Sequence, residues 1–499
     1  MGEIILETLK SIATPIGILY IFGGALAGLV LGAIPGLSGG TITVLLLPLT
    51  YKMNPALAMG LFVAIYVGST SGGCIGSILL GIPGTNSSVV TSWDGYEFTK
   101  KGQTVRAMSN AVFANFIGTI PSLIIAMFFC PILSEWAVQL GPWEYFGMCL
   151  CAIALVVGLT KGNLLKNLLA VGFAMLLACI GLCPLTAMPR LNFGSINLYA
   201  GFKTVDVMLG LMGARIMLLE YARQTKQDTS KIVKVERFKF PGEDFLKNIG
   251  CVIRSFIIGA FIGFLPGLGG STSSVLAYSI EKSVSKDKST WGHGEIKGVI
   301  APEVANNAGI GGAMIPMISL GIPGDGVMVL FMTALTVHGI TPGPLLVKSR
   351  PDVVYMLYIG AMIAGFFVLL IETVGMPMFP GLLKIPYRYL YPAIIVICIL
   401  GAYFSQNNMF GLIVCLAFCA IGVAMSYLDI PILPFILTFI LMPLIEKNFR
   451  LGMNYSKTGI AMFFTRPLSC AFIIIGVLAL VWHVISSIKE DRKAASIEQ

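Results

Sequence analysis

The stretch Gly32–Thr41 reads GAIPGLSGGT, and Gly263–Thr272 repeats it as GFLPGLGGST. Further along, Leu80–Gly84 reads LGIPG, and Leu320–Gly324 reads LGIPG again. Two motifs that recur in the same order in each half of the chain indicate an internal duplication. Proline removes an amide donor and glycine tolerates unusual dihedral angles, so each copy is expected to break a helix.

The composition around these motifs is that of a membrane protein. Of the 499 residues, 56% are hydrophobic and only 11% are charged, and the mean hydropathy is +0.87. Soluble domains carry about 25% charged residues, so this chain could not cover a water-soluble surface of its size. Apolar runs long enough to span a bilayer recur along nearly the whole chain. We expect an all-α polytopic membrane protein with about 10 to 14 membrane elements, in two homologous halves with broken or re-entrant helices.

One basic stretch, residues 221–248, separates the halves, and the positive-inside rule predicts that it is cytoplasmic. The predicted organisation follows the chain. Residues 1–220 form a first membrane repeat, 221–248 the basic cytoplasmic linker, 249–446 a second membrane repeat, and 447–499 a C-terminal segment with a final transmembrane helix. Charge counting leaves open whether the repeats are inverted or parallel. It also leaves open the number of full crossings and the oligomeric state.

Other classes of protein find little support in the sequence. The net charge of +9 fits cytoplasmic loops, and no basic stripe with interleaved aromatic residues predicts a nucleic-acid partner. The eleven cysteines form no CxxC pair, and the three histidines are far apart. Neither a metal centre nor a disulfide framework is indicated. An intramembrane enzyme would need a nucleophile–base pair or a metal cluster. We therefore expect no enzymatic activity and no cofactor beyond a coupling ion.

The broken segments are the first candidate for a binding site. Broken backbone at membrane depth is tolerated only where protein buries it or where it lines a wet cavity, so the four breaks are expected to converge. Half-helix N-termini in transporters face anionic groups, and small hydroxyl and amide residues follow these breaks. The alternative is helix packing, because single glycines and serines are common at helix contacts in membranes. The candidate substrate-binding residues are Ser38, Gly39, Gly40, Thr41, Thr85, Asn86, Ser87, Gly269, Gly270, Ser271 and Thr272.

A second group of polar residues predicts ion coupling. The segments Gly68–Gly76 and Glu303–Gly312 are expected to be weak points in otherwise apolar helices. Glu303 and two asparagines follow one another at i, i+3 and i+4, which predicts one polar helical face. An intramembrane carboxylate is a functional candidate by default. The candidate ion-coupling residues are Ser71, Gly72, Glu303, Asn306, Asn307 and Asp325.

Two of the acidic residues have alternative interpretations. Glu303 could lie at the membrane edge, facing water or Lys297. Asp94, within WDGYEF, is interpreted as the cap of a surface turn at Asp94–Gly95.

Several stretches together resemble one known family. They are GAIPGLSGGT, the first GIPG with the following DGYEFTKKGQ, APEVANNA and PMISLGIPGD. In their order and spacing the chain resembles, over essentially its whole length, the large transmembrane subunit of the tripartite tricarboxylate transporters, the TctA family. The resemblance implies a multi-pass protein of the bacterial cytoplasmic (inner) membrane. Its partners would be a periplasmic solute-binding protein, a small four-helix membrane subunit and the surrounding lipid.

The same resemblance implies the activity. The large subunit would take up small organic di- or tricarboxylates such as citrate, driven by a Na⁺ or H⁺ gradient. The sequence agrees that ATP is not the energy source, because it contains no G-x-x-x-x-G-K-[ST] nucleotide loop. An elevator-like motion follows by analogy with other carboxylate carriers. The alternative is a carboxylate-permeable, channel-like protein without ion coupling, since broken helices also line pores. The sequence names neither the carboxylate nor the ion.

Overall fold

The structure is a computed structural model that describes residues 2–34, 39–160, 163–222, 235–383, 387–456 and 458–497. Ser38 and residues 223–234 of the predicted linker lie outside the described residues. Within the described part, eight helices are long and apolar enough to cross a membrane, and five shorter helices of 10–17 residues are also apolar. The expected all-α polytopic fold is confirmed, and these helices together fall within the expected number of membrane elements.

The described helices of the first half run from Gly2 to Ala222, at the start of the predicted linker. They are α1 (Gly2–Ile12), α2 (Pro15–Gly32), α3 (Gly39–Leu46), α4 (Pro55–Leu80), α5 (Val89–Lys100), α6 (Thr104–Ala137), α7 (Pro142–Leu159), α8 (Leu164–Ala178), α9 (Thr204–Met208) and α10 (Arg215–Ala222).

The remaining described helices begin with α11, at the end of the predicted linker, and long and short helices again follow one another. They are α11 (Gly242–Lys247), α12 (Ile249–Phe264), α13 (Gly269–Val284), α14 (Lys297–Leu320), α15 (Gly326–Val337), α16 (Leu346–Ser349), α17 (Pro351–Gly375), α18 (Phe379–Leu382), α19 (Tyr387–Gln406), α20 (Met409–Tyr427), α21 (Ile432–Tyr455), α22 (Met462–Thr465) and α23 (Pro467–Ile497).

Short irregular elements connect these helices. A 3₁₀ turn, Asn86–Ser88, precedes α5, and a π-helical segment, Leu209–Ala214, joins α9 to α10. Strands β1 (Gly181–Leu182) and β2 (Pro189–Arg190) form an antiparallel hairpin, in which Gly181 lies opposite Arg190.

The chain divides into two compact units, and each unit takes one segment from each half. The first unit contains Met1–Ser134 and Ile216–Gly401, and the second contains Glu135–Arg215 and Ala402–Gln499. These units differ from the linear repeats 1–220 and 249–446 that the sequence predicts. The linear repeat boundaries remain a prediction about the duplication, whereas the units describe which helices pack together.

Within the first unit, corresponding helices occur in the same order in both halves. α2 packs against α4, and α12 packs against α14 in the same way. Both α4 and α14 end at a left-handed glycine, Gly81 (φ 70°) and Gly321 (φ 72°), at the start of each GIPG motif. Only glycine adopts this conformation at little cost, so each motif ends its helix at the same position.

The segments predicted as weak points do not interrupt their helices, which corrects the sequence-based expectation. α4 is continuous through Gly68–Gly76, and α14 is continuous through Glu303–Gly312. The glycines serve close packing, since a Cβ on Gly72 would lie 2.4 Å from the carbonyl oxygen of Leu29 on α2. α14 is buried from Gly298 to Ser319, so surrounding helices shelter its small and polar residues from lipid.

The second unit has its own polar contacts. α7 packs against α21 and α23, and α20 packs against the π-helical segment. Arg190 after the β-turn donates to both carboxylate oxygens of Glu446 on α21, at 2.5 and 3.0 Å. Asp206 on α9 accepts hydrogen bonds from Ser405 and Gln406 at the end of α19. The described candidate residues from the sequence all lie in the first unit.

Candidate functional site

The helix breaks of the two halves interleave inside the first unit. α13, which follows the first break of the second half, contacts the 3₁₀ turn Asn86–Ser88 after the second break of the first half. The reciprocal contact is also present: α3, which follows the first break of the first half, contacts α15, which follows the second break of the second half. Within the second half, the Gly267 amide donates to the carbonyl oxygen of Gly324 at 2.8 Å, so its two breaks meet directly. Polar residues of the two halves, far apart in the chain, are thereby brought together.

The N-terminus of α13 is an accessible part of this region. The helix begins at Gly269, whose φ of 58° turns the chain into the helix. Ser271 is exposed and Thr272 is half-buried, both in the first turn. The first amide groups of a helix have no partner within it, so this turn presents N–H groups beside two hydroxyl groups.

The segment after the first GIPG is the part of the first half that contacts α13. The Thr85 and Ser87 hydroxyl oxygens lie 3.1 Å apart, and the Thr85 amide donates to the Ser88 hydroxyl at 3.2 Å. Asn86 is exposed. Thr85, Asn86 and Ser87 therefore form a small polar turn that contacts α13.

The predicted residues at the start of α3 have a different environment. Gly39, Gly40 and Thr41 are buried, and a Cβ on Gly39 would lie 2.1 Å from the Ser69 hydroxyl oxygen on α4. In this conformation they pack against α4 and are not accessible as a binding surface. Gly269 and Gly270 are also closely packed, since a Cβ on Gly270 would lie 2.1 Å from the Asn306 amide oxygen.

Asp325 links the halves at the start of α15. Its Oδ1 accepts hydrogen bonds from the amides of Val327 and Met328, at 2.9 and 2.8 Å, and so caps the helix. Its Oδ2 accepts a hydrogen bond of 2.5 Å from the hydroxyl of Tyr66 on α4. A capping carboxylate is favourable at a helix N-terminus. Asp325 as an ion-coupling residue stays a prediction, and the structure shows its carboxylate held by three donors.

The polar residues of α14 lie within about 100° of one another around the helix, as their spacing predicts, but they contact different neighbours. Glu303 Oε1 accepts a hydrogen bond of 2.5 Å from Thr91 on α5, whereas Asn306 faces the start of α13. Residues 306 and 307 are about 100° apart around the helix, so they contact different neighbours. Glu303 is only 1% exposed, so it does not face water as the alternative interpretation proposed.

Asn307 is the centre of a buried hydrogen-bond network. Its Nδ2 donates to Asn115 Oδ1 on α6 at 2.7 Å. Its Oδ1 accepts from Thr119 on α6 at 3.2 Å and from Ser71 on α4 at 3.3 Å. Ser71 and Asn307, predicted separately from the two halves, are thus in direct contact. Gly72 instead faces α2, so its role in the structure is packing.

Asp94 is not the cap of a surface turn, contrary to the sequence interpretation. It lies within α5 and is fully buried. Its Oδ1 accepts hydrogen bonds from the amides of Gly292, Gly294 and Glu295, and its Oδ2 accepts one from the Tyr278 hydroxyl. Asp94 therefore holds the loop between α13 and α14 onto α5. Sequence spacing gave no sign of this contact across nearly 200 residues.

A polytopic helical fold whose broken helices bring together buried polar groups is that of a membrane transport protein. The chain belongs to the tripartite tricarboxylate transporter TctA family, whose sequence profile matches residues 18–437. The family resemblance read from the sequence motifs is confirmed. The protein is accordingly a multi-pass membrane component of a tripartite tricarboxylate transporter.

Two relatives from Agrobacterium vitis are similar in sequence. The "Uncharacterized 52.8 kDa protein in TAR-I ttuC' 3'region" is 31% identical over 490 residues, which cover 97% of both chains. The "Uncharacterized protein in TAR-II ttuC' 3'region" is 32% identical over 240 residues, which cover 48% of this chain and 99% of the relative. No solved structure matches the chain.

Proposed function

We propose that the chain is the large permease subunit of a binding-protein-dependent tripartite transporter in the bacterial inner membrane. It takes up small organic di- or tricarboxylates such as citrate, and a Na⁺ or H⁺ gradient drives the uptake. Membership of the family supports the transporter component. The observation that carries the proposal is the meeting of helix breaks from both halves at one polar region.

The substrate site in this proposal lies between α13 and the turn at Thr85–Ser87. A helix N-terminus stabilises a carboxylate through its free amides and its positive dipole end. Ser271, Thr272 and Asn86 add short donors that reach a small anion without large rearrangement. Hydrogen bonds to an ionised carboxylate are stronger than those between neutral groups, so a few such donors are sufficient for recognition.

Ion coupling is supported by the buried carboxylate of Glu303. One of its oxygens has no hydrogen-bond partner within the described chain. A buried charge without a counter-charge costs several kcal/mol, so such a group is stable only when it is protonated or bound to a cation. Protonation or cation binding at Glu303 would make the population of this state depend on the concentration of the coupling ion.

The partners in this proposal are those of the tripartite system. A periplasmic solute-binding protein captures the carboxylate and delivers it, and a small four-helix membrane subunit accompanies this chain. No cofactor other than the coupling ion is required, because translocation breaks no covalent bond.

Reconstitution tests this proposal directly. The full chain, its small membrane subunit and its binding protein are placed in proteoliposomes, and uptake of labelled citrate and a panel of di- and tricarboxylates is measured. We expect accumulation only with the binding protein present and a Na⁺ or H⁺ gradient imposed. Passive flux that requires neither would identify the channel-like alternative and overturn the proposal.

Two substitutions test the position of the substrate site. Thr272→Val removes a hydroxyl at the N-terminus of α13 and should raise the KM for the carboxylate about tenfold, the effect of losing one hydrogen bond to a charged group. Ser283→Ala, near the exposed C-terminal end of the same helix, is the matched control and should leave KM unchanged. An equal KM for both variants would place the substrate elsewhere.

Glu303→Gln tests the coupling residue. We expect the variant to show an altered ion dependence of uptake, because glutamine carries no charge to balance. Glu144→Gln is the control, since Glu144 caps α7 through the Gly141 amide and glutamine can accept the same hydrogen bond. Normal uptake with an unchanged ion requirement in Glu303→Gln would remove Glu303 from the coupling mechanism.

A further inference from the structure

Glu372 on α17 is a buried carboxylate that no sequence motif marked. Its exposure is 0%, and neither of its carboxylate oxygens has a hydrogen-bond partner among the residues that the structure describes. No ion pair involves it among the described residues. Two unpartnered oxygens in a buried position are rare in native proteins and need a physical explanation.

The carboxylate faces a narrow crevice lined by three other oxygen-bearing side chains. They are Ser71 on α4 and Asn115 and Thr119 on α6, and the rest of the lining is mainly apolar. The crevice has no room for a water molecule in this conformation. A bridging water therefore does not satisfy Glu372, because a buried water needs space as well as polar partners.

Asn307 contacts all three of these side chains. The Ser71 hydroxyl donates to its Oδ1, and the Thr119 hydroxyl oxygen lies 3.2 Å from the same atom and 2.8 Å from the Asn115 carbonyl oxygen. Asn115 Oδ1 accepts a hydrogen bond from Asn307 Nδ2. Each of these oxygens keeps a further lone pair, because a hydroxyl or amide oxygen has two. Glu372, Ser71, Asn115 and Thr119 thus line one narrow crevice with hydroxyl, amide and carboxylate groups.

We propose that Glu372, Ser71, Asn115 and Thr119 form a binding site for a dehydrated monovalent cation, namely Na⁺. The inference rests on the proposed function, in which this cation is the coupling ion. One carboxylate balances a single positive charge, and neutral oxygens complete the shell of a hard cation. A dehydrated Na⁺ is smaller than the water molecule that the crevice excludes. No group of three His, Cys, Asp or Glu that could hold a metal ion is found in the described ranges, which argues against a divalent site.

The site differs from the ligand set that the sequence predicted. Asn307 acts as a positioning residue, since its own amide atoms are used by the neighbouring side chains. Glu303 lies on the same helix as Asn307, one turn before it. The ion would join α4 and α6 of the first half to α17 of the second.

Sodium-dependent thermal stabilisation tests this inference without measuring transport. The purified full chain with its small membrane subunit is unfolded in increasing NaCl, with choline chloride holding the ionic strength constant. A ligand that binds only the folded state raises Tm as its concentration rises. We expect such a rise for the wild type and its loss in Glu372→Gln. Thr119→Val should shift the half-saturating Na⁺ concentration upward by roughly tenfold or more.

The controls separate the possible results. Glu144→Gln, a helix-cap variant remote in sequence from the crevice, should keep the wild-type Na⁺ response. A wild-type Na⁺ response in Glu372→Gln and Thr119→Val would overturn the site. Uptake driven by a pH gradient, with no Na⁺ response in the wild type, would also overturn it and would favour a proton on Glu372. That second result leaves the proposed function standing, whereas uptake that responds to neither gradient refutes the proposed function itself.

Discussion

The hydrogen bond between Tyr66 and Asp325 offers a direct test of how the two halves are joined. The hydroxyl of Tyr66 on α4 donates to Asp325 Oδ2 at 2.5 Å, and both side chains are shielded from solvent. Tyr66→Phe removes this donor and leaves the ring in place. Asp325 then keeps only the two amide donors at the start of α15, both on Oδ1. Its Oδ2 becomes a buried acceptor without a partner.

The size of the effect follows from this geometry. A hydrogen bond to a charged group contributes about 1.5–3 kcal/mol, and a buried group left unsatisfied loses the whole of that contribution. Since every 1.4 kcal/mol is a factor of ten, the population in which the start of α15 is open should rise roughly tenfold to a hundredfold. The amides of Val327 and Met328 report this opening, because Asp325 holds both of them.

Hydrogen–deuterium exchange with mass spectrometry measures that population in the detergent-purified protein. We expect faster exchange in peptides covering the start of α15 in Tyr66→Phe, and little further change when Asp325→Asn is added. Tyr427→Phe is the control, because Tyr427 is 77% exposed. Unchanged exchange in Tyr66→Phe, or effects of the two substitutions that add within about 0.5 kcal/mol, would refute a direct link between these residues.

Three further predictions concern packing, a buried cap and pH. Gly72→Ala should lower the thermal stability, because its Cβ would lie 2.4 Å from a backbone oxygen of α2; Gly23→Ala, on α2 with no atom within 4 Å, should be neutral or stabilising. Asp94→Ala should increase proteolytic cleavage of the loop between α13 and α14, since three loop amides lose their acceptor; protection equal to wild type would contradict this. Arg106 holds the pKa of Asp244 below its ordinary value, so the pair contributes stability above about pH 4 and loses it as pH falls further. Protection of the amides around Asp244, measured relative to the intrinsic exchange rate at each pH, should then fall at acidic pH, and constant protection would contradict the pairing.

The sequence alone determined the features that depend on local chemistry. Long apolar runs predicted a polytopic helical protein, because a bilayer requires about 20 apolar residues for each crossing. The repeated proline–glycine motifs predicted where the helices break, because proline and glycine act on the backbone at their own positions. The order of the motifs also carried the family resemblance, which the profile match confirms.

The tertiary structure decided which polar residues meet. The segment Gly68–Gly76 is continuous helix because α2 packs closely against it, and no local pattern predicts a neighbour's position. Asn306 and Asn307 are adjacent in sequence but face different helices. Asn115, Thr119 and Glu372 lie in apolar runs without a motif and lie near Asn307 and Ser71 only after α4, α6, α14 and α17 have packed. Contacts between such distant positions depend on the packing of whole helices, so local propensity and spacing do not contain them.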